Sequence, residues 1–170
     1  MICFDWRDGM MSKDEIYNYL LEKKIWYKIL EHQAVYTMKD LKKVELLDLK
    51  GEAKNLFLKD DKNNFYLIVV KGDKRVDLKQ FRKNNNLRSL SFASEKYLLD
   101  IIGLKPGTVS PLGILNDKMK RVIVYIDKYF IDNNIILVHP NDNTATVWLK
   151  TEDLVDIIKN HGNSVNIVEI

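Results

Sequence analysis

Cysteine occurs once in the 170 residues, at Cys3. A single thiol excludes an internal disulfide framework and any zinc site built on paired thiolates, and it fits a reducing compartment. Long apolar runs are missing: nothing approaches the roughly 18 residues of a membrane-spanning helix, and no charged start leads into an apolar stretch with a cleavage site. A cytoplasmic protein with no membrane partner is expected. The signatures of several enzyme classes are absent as well: no Gly-x-Ser-x-Gly elbow, no P-loop, no Gly-x-Gly-x-x-Gly after a strand and no His-Glu-x-x-His helix. Histidine is scarce, at three residues. His161 stands just before Gly162, where a helix dipole explains it. His32 and His139 each end an expected strand beside a polar turn, but they have no carboxylate or thiolate at ligand spacing, so neither a metal nor a cofactor is expected.

Proline and glycine are also few, at three and seven, and they are unevenly placed. Two prolines and three glycines fall in the stretch Gly103-Leu104-Lys105-Pro106-Gly107-Thr108-Val109-Ser110-Pro111-Leu112-Gly113. Breakers concentrated in this way mark backbone held in a fixed, non-repeating shape. Several NH groups there lack a helix or strand partner and can serve as anion or oxyanion donors. Taken alone, the stretch fits equally an ordinary connector after a helix ending near Ile102.

What is present suits one domain with a sizeable core: 46% hydrophobic residues, and 27 basic against 24 acidic side chains for a net charge of +3. That balance permits an RNA or phosphate partner without demanding one. Residues 1–10 are unpatterned and read as an extension; residues 11–170 read as the domain. Ser12-Lys13-Asp14-Glu15 is a capping box opening a helix to about Lys24, and Trp26 to His32 reads as a strand. A second helix starts at Thr37-Met38-Lys39-Asp40, with Leu41, Val44 and Leu47 on its buried side. Lys54 to Leu58, the polar turn Asp60 to Asn64, and Phe65 to Val70 form a hairpin whose second strand is central. Asp77 to Lys83 is a short helix, and Ser94 caps another. Arg121 to Ile126, Asn134 to His139 and Thr144 to Leu149 are strands; Thr151 caps a helix that Gly162 ends before the strand Val165 to Val168. Without a strict βαβ rhythm, these elements predict a mixed α/β (α+β) single domain around a mostly antiparallel sheet surrounded by helices.

Lys54 shares the parity of Leu56 and Leu58, so its stem follows an apolar face while its ammonium reaches the sheet edge, suited to a phosphate, a carbonyl or a ribose hydroxyl. The same parity also fits a lysine that simply snorkels.

Lys54-Asn55-Leu56-Phe57-Leu58, the Gly103 to Gly113 stretch, and His139-Pro140-Asn141-Asp142-Asn143-Thr144-Ala145-Thr146 occur together. So do His32-Gln33-Ala34-Val35-Tyr36-Thr37, Val76-Asp77-Leu78-Lys79, Leu90-Ser91-Phe92-Ala93-Ser94 and Pro111 to Asp117. In this order the chain resembles the YbaK-like prolyl-tRNA editing family, and more closely its free-standing PrdX branch, which removes alanine mischarged onto the tRNA for proline. The resemblance implies a hydrolase acting on the ester between an aminoacyl group and the 3′ end of a tRNA. It carries over Lys54 as the residue on which activity depends, and Gly103, Pro106 and Gly107 as the loop that presents NH groups to the substrate. It places His139 at the substrate pocket, and Asn55 and His32, which stand in the matching stretches, are nominated for substrate binding beside it. Val35, Leu56 and Ala145 are nominated as walls of a pocket too small for proline, each of which plain core packing would also explain. Lys50, Lys79 and Arg82 flank the motifs and are nominated for tRNA. A prolyl-tRNA synthetase is a further candidate partner. Cysteine or serine on a tRNA, or a non-catalytic tRNA-binding module of the same fold, stay open as alternatives.

Overall fold

The computed structural model describes residues 9–35, 37 and 51–170. The helix expected from Thr37 to Asp40 onward, with Leu41, Val44 and Leu47, lies outside the described residues apart from Thr37 itself, and so does Lys50. Helix α1 (Lys13–Glu22) starts at the expected capping box: Glu15 N–H donates to Ser12 Oγ at 3.4 Å, and Ser12 N–H donates to Glu15 Oε2 at 2.7 Å. Its buried side chains are Ile16 and Leu20, four apart and therefore on one face. Strand β1 is Tyr27–Glu31, and β2 (Ala53–Asp60) and β3 (Phe65–Lys71) form the expected hairpin. The turn between them is organised by the buried Asp60 carboxylate, which accepts from Lys62 N–H, Asn64 N–H, Asn64 Nδ2 and the Tyr66 hydroxyl.

Then follow α2 (Leu78–Asn84), β4 (Leu90–Phe92), α3 (Glu95–Ile102), a 3-10 helix at Pro111–Asn116, β5 (Val122–Asp127), α4 (Lys128–Asn133), β6 (Ile135–Val138), β7 (Ala145–Lys150), α5 (Thr151–His161) and β8 (Val165–Val168). The strands make two sheets where one was expected: β4-β2-β3-β5-β8 and β1-β7-β6. Antiparallel pairing joins β1 to β7, β6 to β7, β2 to β3 and β2 to β4, while β3·β5 and β5·β8 are parallel. The sheets touch at a parallel bridge between Glu52 and Leu137.

Strand β3 is buried along almost its whole length because both faces of the larger sheet are covered. One face packs on the main core, which takes in Phe57, Phe65, Leu67 and Val69 with residues of α1, α3, α5 and the smaller sheet. The other carries a smaller cluster of Leu58, Tyr66, Ile68, Phe81 and Tyr125, with Leu56, Val76 and Leu78 against it. Thr151 is not the cap it was expected to be: the N-cap is Lys150, and the buried Thr151 hydroxyl donates to Phe130 O at 2.8 Å, tying α5 to α4. Among the described residues no helix is long and apolar enough to cross a membrane.

Candidate functional site

The site is built on a gap in one edge of β2. At its start that edge is held by the smaller sheet, where Leu137 N–H donates to Gly51 O at 2.7 Å; at its end it pairs with β4 from Leu58 onward. Between these contacts the Gly/Pro loop closes in: Asn55 Nδ2 donates to Val109 O at 3.0 Å. The Ser110 hydroxyl donates to the carbonyl of His139, the residue just past the end of β6. Asn55, Val109, Ser110 and His139 are thereby brought together from three parts of the chain. Asn55 Oδ1 is buried and has no hydrogen-bond partner among the described residues, a cost of about 1–3 kcal/mol unless a ligand supplies the donor.

The loop does not use its residues as the sequence suggests. Gly103 sits at φ +67° as the left-handed cap of α3, and its N–H donates to Leu99 O at 3.2 Å. A Cβ there would lie 2.7 Å from Met10 Sδ and 3.0 Å from Asn116 Nδ2, so a side chain would be strained by the backbone angle and would crowd both neighbours. Gly103 is therefore a structural residue with no NH to offer a substrate, and Pro106 has none by nature. Lys105 N–H donates to Thr108 Oγ1 at 3.1 Å, and Thr108 N–H returns to Lys105 O at 3.0 Å. This turn places Gly107 at φ +85°. Among the described residues, the N–H groups of Gly107, Val109 and Ser110 have no hydrogen-bond partner. Gly107 N–H is thus free to donate, and so are Val109 and Ser110 N–H, which the sequence reading did not name. A signal was available: a residue before proline is held extended, and Ser110 before Pro111 has φ −141° and ψ 147°.

Strand parity divides the remaining residues. Asn55 faces the main core side with Phe57, whereas Lys54 and Leu56 face the smaller cluster. The Lys54 ammonium donates to the backbone carbonyl of Lys74, in the segment between β3 and α2. That segment is fixed by Lys74 Nζ, which pairs at 2.8 Å with the buried carboxylate of Asp127. Lys54 and Asn55 therefore flank the gap from opposite faces of β2. Leu56 packs with Val76 and Leu78 on the Lys54 side, apart from Val35 and Ala145, so the three nominated walls do not share one surface.

Val35 and Ala145 are both buried near the start of β7. Val35 N–H donates to Asn143 O at 3.0 Å, and Asn143 Nδ2 donates to Val35 O at 3.1 Å. His32 N–H donates to Thr144 O at 2.8 Å, while its ring spans Gln33 O from Nδ1 at 2.7 Å and Thr146 Oγ1 from Nε2 at 2.9 Å. His139 Nδ1 lies 3.1 Å from Ala145 O, a contact that assigns the proton to Nδ1 and leaves Nε2 as an acceptor. Burial holds the His139 imidazole below the ordinary histidine range; the Ala145 carbonyl opposes this, His32 reinforces it and Asp142 opposes it.

The unfolded chain protonates His139 at a higher pH than the folded protein does, so unfolding takes up a proton as the pH drops below about 6.5. Stability should decline from there until the folded imidazole also titrates. Urea melts of the protein and of His139→Gln between pH 7 and pH 5 should show a shallower decline in the variant; parallel declines would remove His139 as the cause.

A separate open cavity of about 690 Å³ lies beside the loop, lined by Met11, Ser12, Glu15, Lys105, Thr108 and Asn141 among others. It excludes Lys54, Asn55 and His139, so it is not the gap in β2. Among the described residues no group of three or more His, Cys, Asp or Glu side chains is placed to hold a metal ion.

Comparison with known proteins gives a consistent picture. The family model for the aminoacyl-tRNA editing domain matches residues 32–157. The chain is similar to the prolyl-tRNA editing protein ProX of Acetoanaerobium sticklandii, at 40% identity over 162 residues, covering 95% of this chain and 99% of that one. It is also similar to the prolyl-tRNA synthetase associated domain-containing protein 1 of Bos taurus, at 31% identity over 142 residues, 80% of this chain and 82% of that one. In fold it resembles a crystal structure described as a candidate trans-editing enzyme for prolyl tRNA synthetase, with a TM-score of 0.69 at 19% identity, covering 95% of this chain and 99% of that one.

Proposed function

The chain belongs to the aminoacyl-tRNA editing domain family, and from that premise we propose that it is a free-standing deacylase, which hydrolyses alanine mischarged onto the tRNA for proline. The observation that carries the chemistry is the gap in β2, where an unsatisfied Asn55 oxygen and the backbone of His139 meet the Gly/Pro loop, whose NH groups at Gly107, Val109 and Ser110 have no partner among the described residues. An aminoacyl ester is already activated, so a site needs mainly to place a water and stabilise the oxyanion. Water adds to the carbonyl carbon, the bond to the ribose oxygen breaks, and the products are free alanine and a tRNA with its 3′ hydroxyl restored.

In this scheme the NH groups of Gly107, Val109 and Ser110 receive the developing oxyanion. Asn55 Oδ1 accepts from the substrate ammonium or a ribose hydroxyl, and His139 Nε2 accepts from the attacking water. Lys54, from the other face of the strand, fixes the terminal nucleotide; its ammonium is held by one carbonyl, and among the described residues no acid pairs with it. No step requires a metal or cofactor.

The need for such an activity follows from affinity arithmetic. A synthetase pocket built for proline rejects the smaller alanine poorly, because each missing methylene is worth only about 1–3 kcal/mol. A second site closed to proline by size corrects the error, and a prolyl-tRNA synthetase is then the source of the substrate. Val35 and Ala145, buried together near His139, are the walls of that site. Release of labelled alanine from alanyl-tRNA for proline by the purified protein tests the proposal. Alanine release at the rate of uncatalysed hydrolysis would refute it.

A further inference from the structure

The stretch from Lys71 to Lys83 holds six cations, Lys71, Lys74, Arg75, Lys79, Arg82 and Lys83, and only two acids, Asp73 and Asp77. Its net charge of +4 exceeds the +3 of the whole chain, so the basic excess of this protein is concentrated in one short segment. The nearby acids are already engaged. Asp77 caps α2 by accepting from Lys79 N–H at 2.9 Å and Gln80 N–H at 3.0 Å. Asp73 pairs with Lys71 at 3.1 Å, and Asp127 pairs with Lys74 at 2.8 Å.

Arg75, Lys79, Arg82 and Lys83 are left with no acidic partner among the described residues. Lys79, Arg82 and Lys83 are spaced i, i+3, i+4, which puts them on one face of α2 while Phe81 is buried on another. Arg75, Lys79 and Lys83 are exposed and Arg82 is half-buried. The segment starts at the functional site, because the carbonyl of Lys74 holds the Lys54 ammonium. A seven-residue helix is about 10 Å long, enough to lie along neighbouring phosphates of one RNA strand.

We propose that this stripe, Arg75, Lys79, Arg82 and Lys83, is the track that binds the phosphates of the tRNA acceptor stem as it leaves the Lys54 site. The inference rests on the deacylase reading for its substrate. It assigns the stripe to affinity that is blind to base sequence, since phosphate contacts position a nucleic acid and base contacts specify it.

The test is the salt dependence of tRNA binding and the kinetics of deacylation for Lys79→Gln/Arg82→Gln/Lys83→Gln. Two comparison variants accompany it: the charge-keeping Lys79→Arg/Arg82→Lys/Lys83→Arg, and Lys24→Gln/Lys118→Gln/Lys159→Gln, which removes three exposed cations elsewhere. The stripe variant should raise KM for the tRNA by about tenfold or more with kcat largely kept. It should also lower the slope of log binding constant against log salt by about two to three. The charge-keeping variant should restore both, and the distant variant should change neither. An unchanged salt slope in the stripe variant, or an equal loss in the distant one, overturns the track. If no aminoacyl-tRNA is hydrolysed but the stripe variant still loses tRNA, the deacylase reading falls and the track stands.

Discussion

Replacing Lys54 by alanine should lower deacylation of alanyl-tRNA for proline by about 100-fold or more while leaving tRNA affinity within a few-fold. The size follows from misplacing the reacting ester once the terminal nucleotide is no longer fixed, since a shift of about 1 Å at a reacting centre costs about 100-fold. The fold should survive the change, because among the described residues the Lys54 side chain makes one hydrogen bond, to the Lys74 carbonyl, and a bond of that kind contributes about 1 kcal/mol. The stripe on α2 is untouched, so affinity stays. Single-turnover rates with saturating enzyme, set beside tRNA binding, separate the two quantities. A variant that hydrolyses normally would move the essential charge elsewhere; one that loses binding and rate together would make Lys54 an anchor alone.

Shortening Val35 to alanine should open the site to proline. Its backbone is locked on both sides, N–H to Asn143 O and carbonyl from Asn143 Nδ2, so the side chain can shrink without moving the chain that carries it. Because Val35 is buried, at 5% exposure, the lost methyl groups leave space rather than exposed surface. Discrimination by size is worth about 10- to 200-fold per methylene. Release of proline from prolyl-tRNA should therefore rise by about 10- to 100-fold, with alanine release changed only a few-fold. The ratio of kcat/KM for the two substrates is the readout. Continued exclusion of proline would show that Val35 is core and that other side chains set the size limit.

How far the molecule could be read from its sequence depended on whether the signal was local. The β2–β3 hairpin was legible because Asp60 to Asn64 is a polar turn between two strands with plain patterning. The Ser12–Glu15 capping box was equally local, and it formed as expected. Strand β4 was not legible: it has three residues, too few to show a period, and it exists because Leu90 to Phe92 meet the end of β2. The split into two sheets was hidden for the same reason, since no single strand announces which edge it will join.

At the site, the residue types were visible and their duties were not. Gly103 reads as a loop donor until its positive φ and its bond to Leu99 O show it closing a helix. The NH groups of Val109 and Ser110 are defined by having no partner among the described residues, which only the assembled fold reveals. The period of a strand placed Lys54 with Leu56 correctly, and the same rule separates Leu56 from the walls it was nominated to join.

The most direct test of the account is hydrolysis of alanyl-, cysteinyl-, seryl- and prolyl-tRNA, all on the tRNA for proline, by the purified protein and by Lys54→Ala. Rapid release of alanine, sparing of proline, and loss of the alanine reaction in the variant are expected. Release of cysteine or serine in place of alanine would contradict the assigned pocket, and release of none of the four would contradict the enzyme itself, leaving a protein that binds tRNA without editing it.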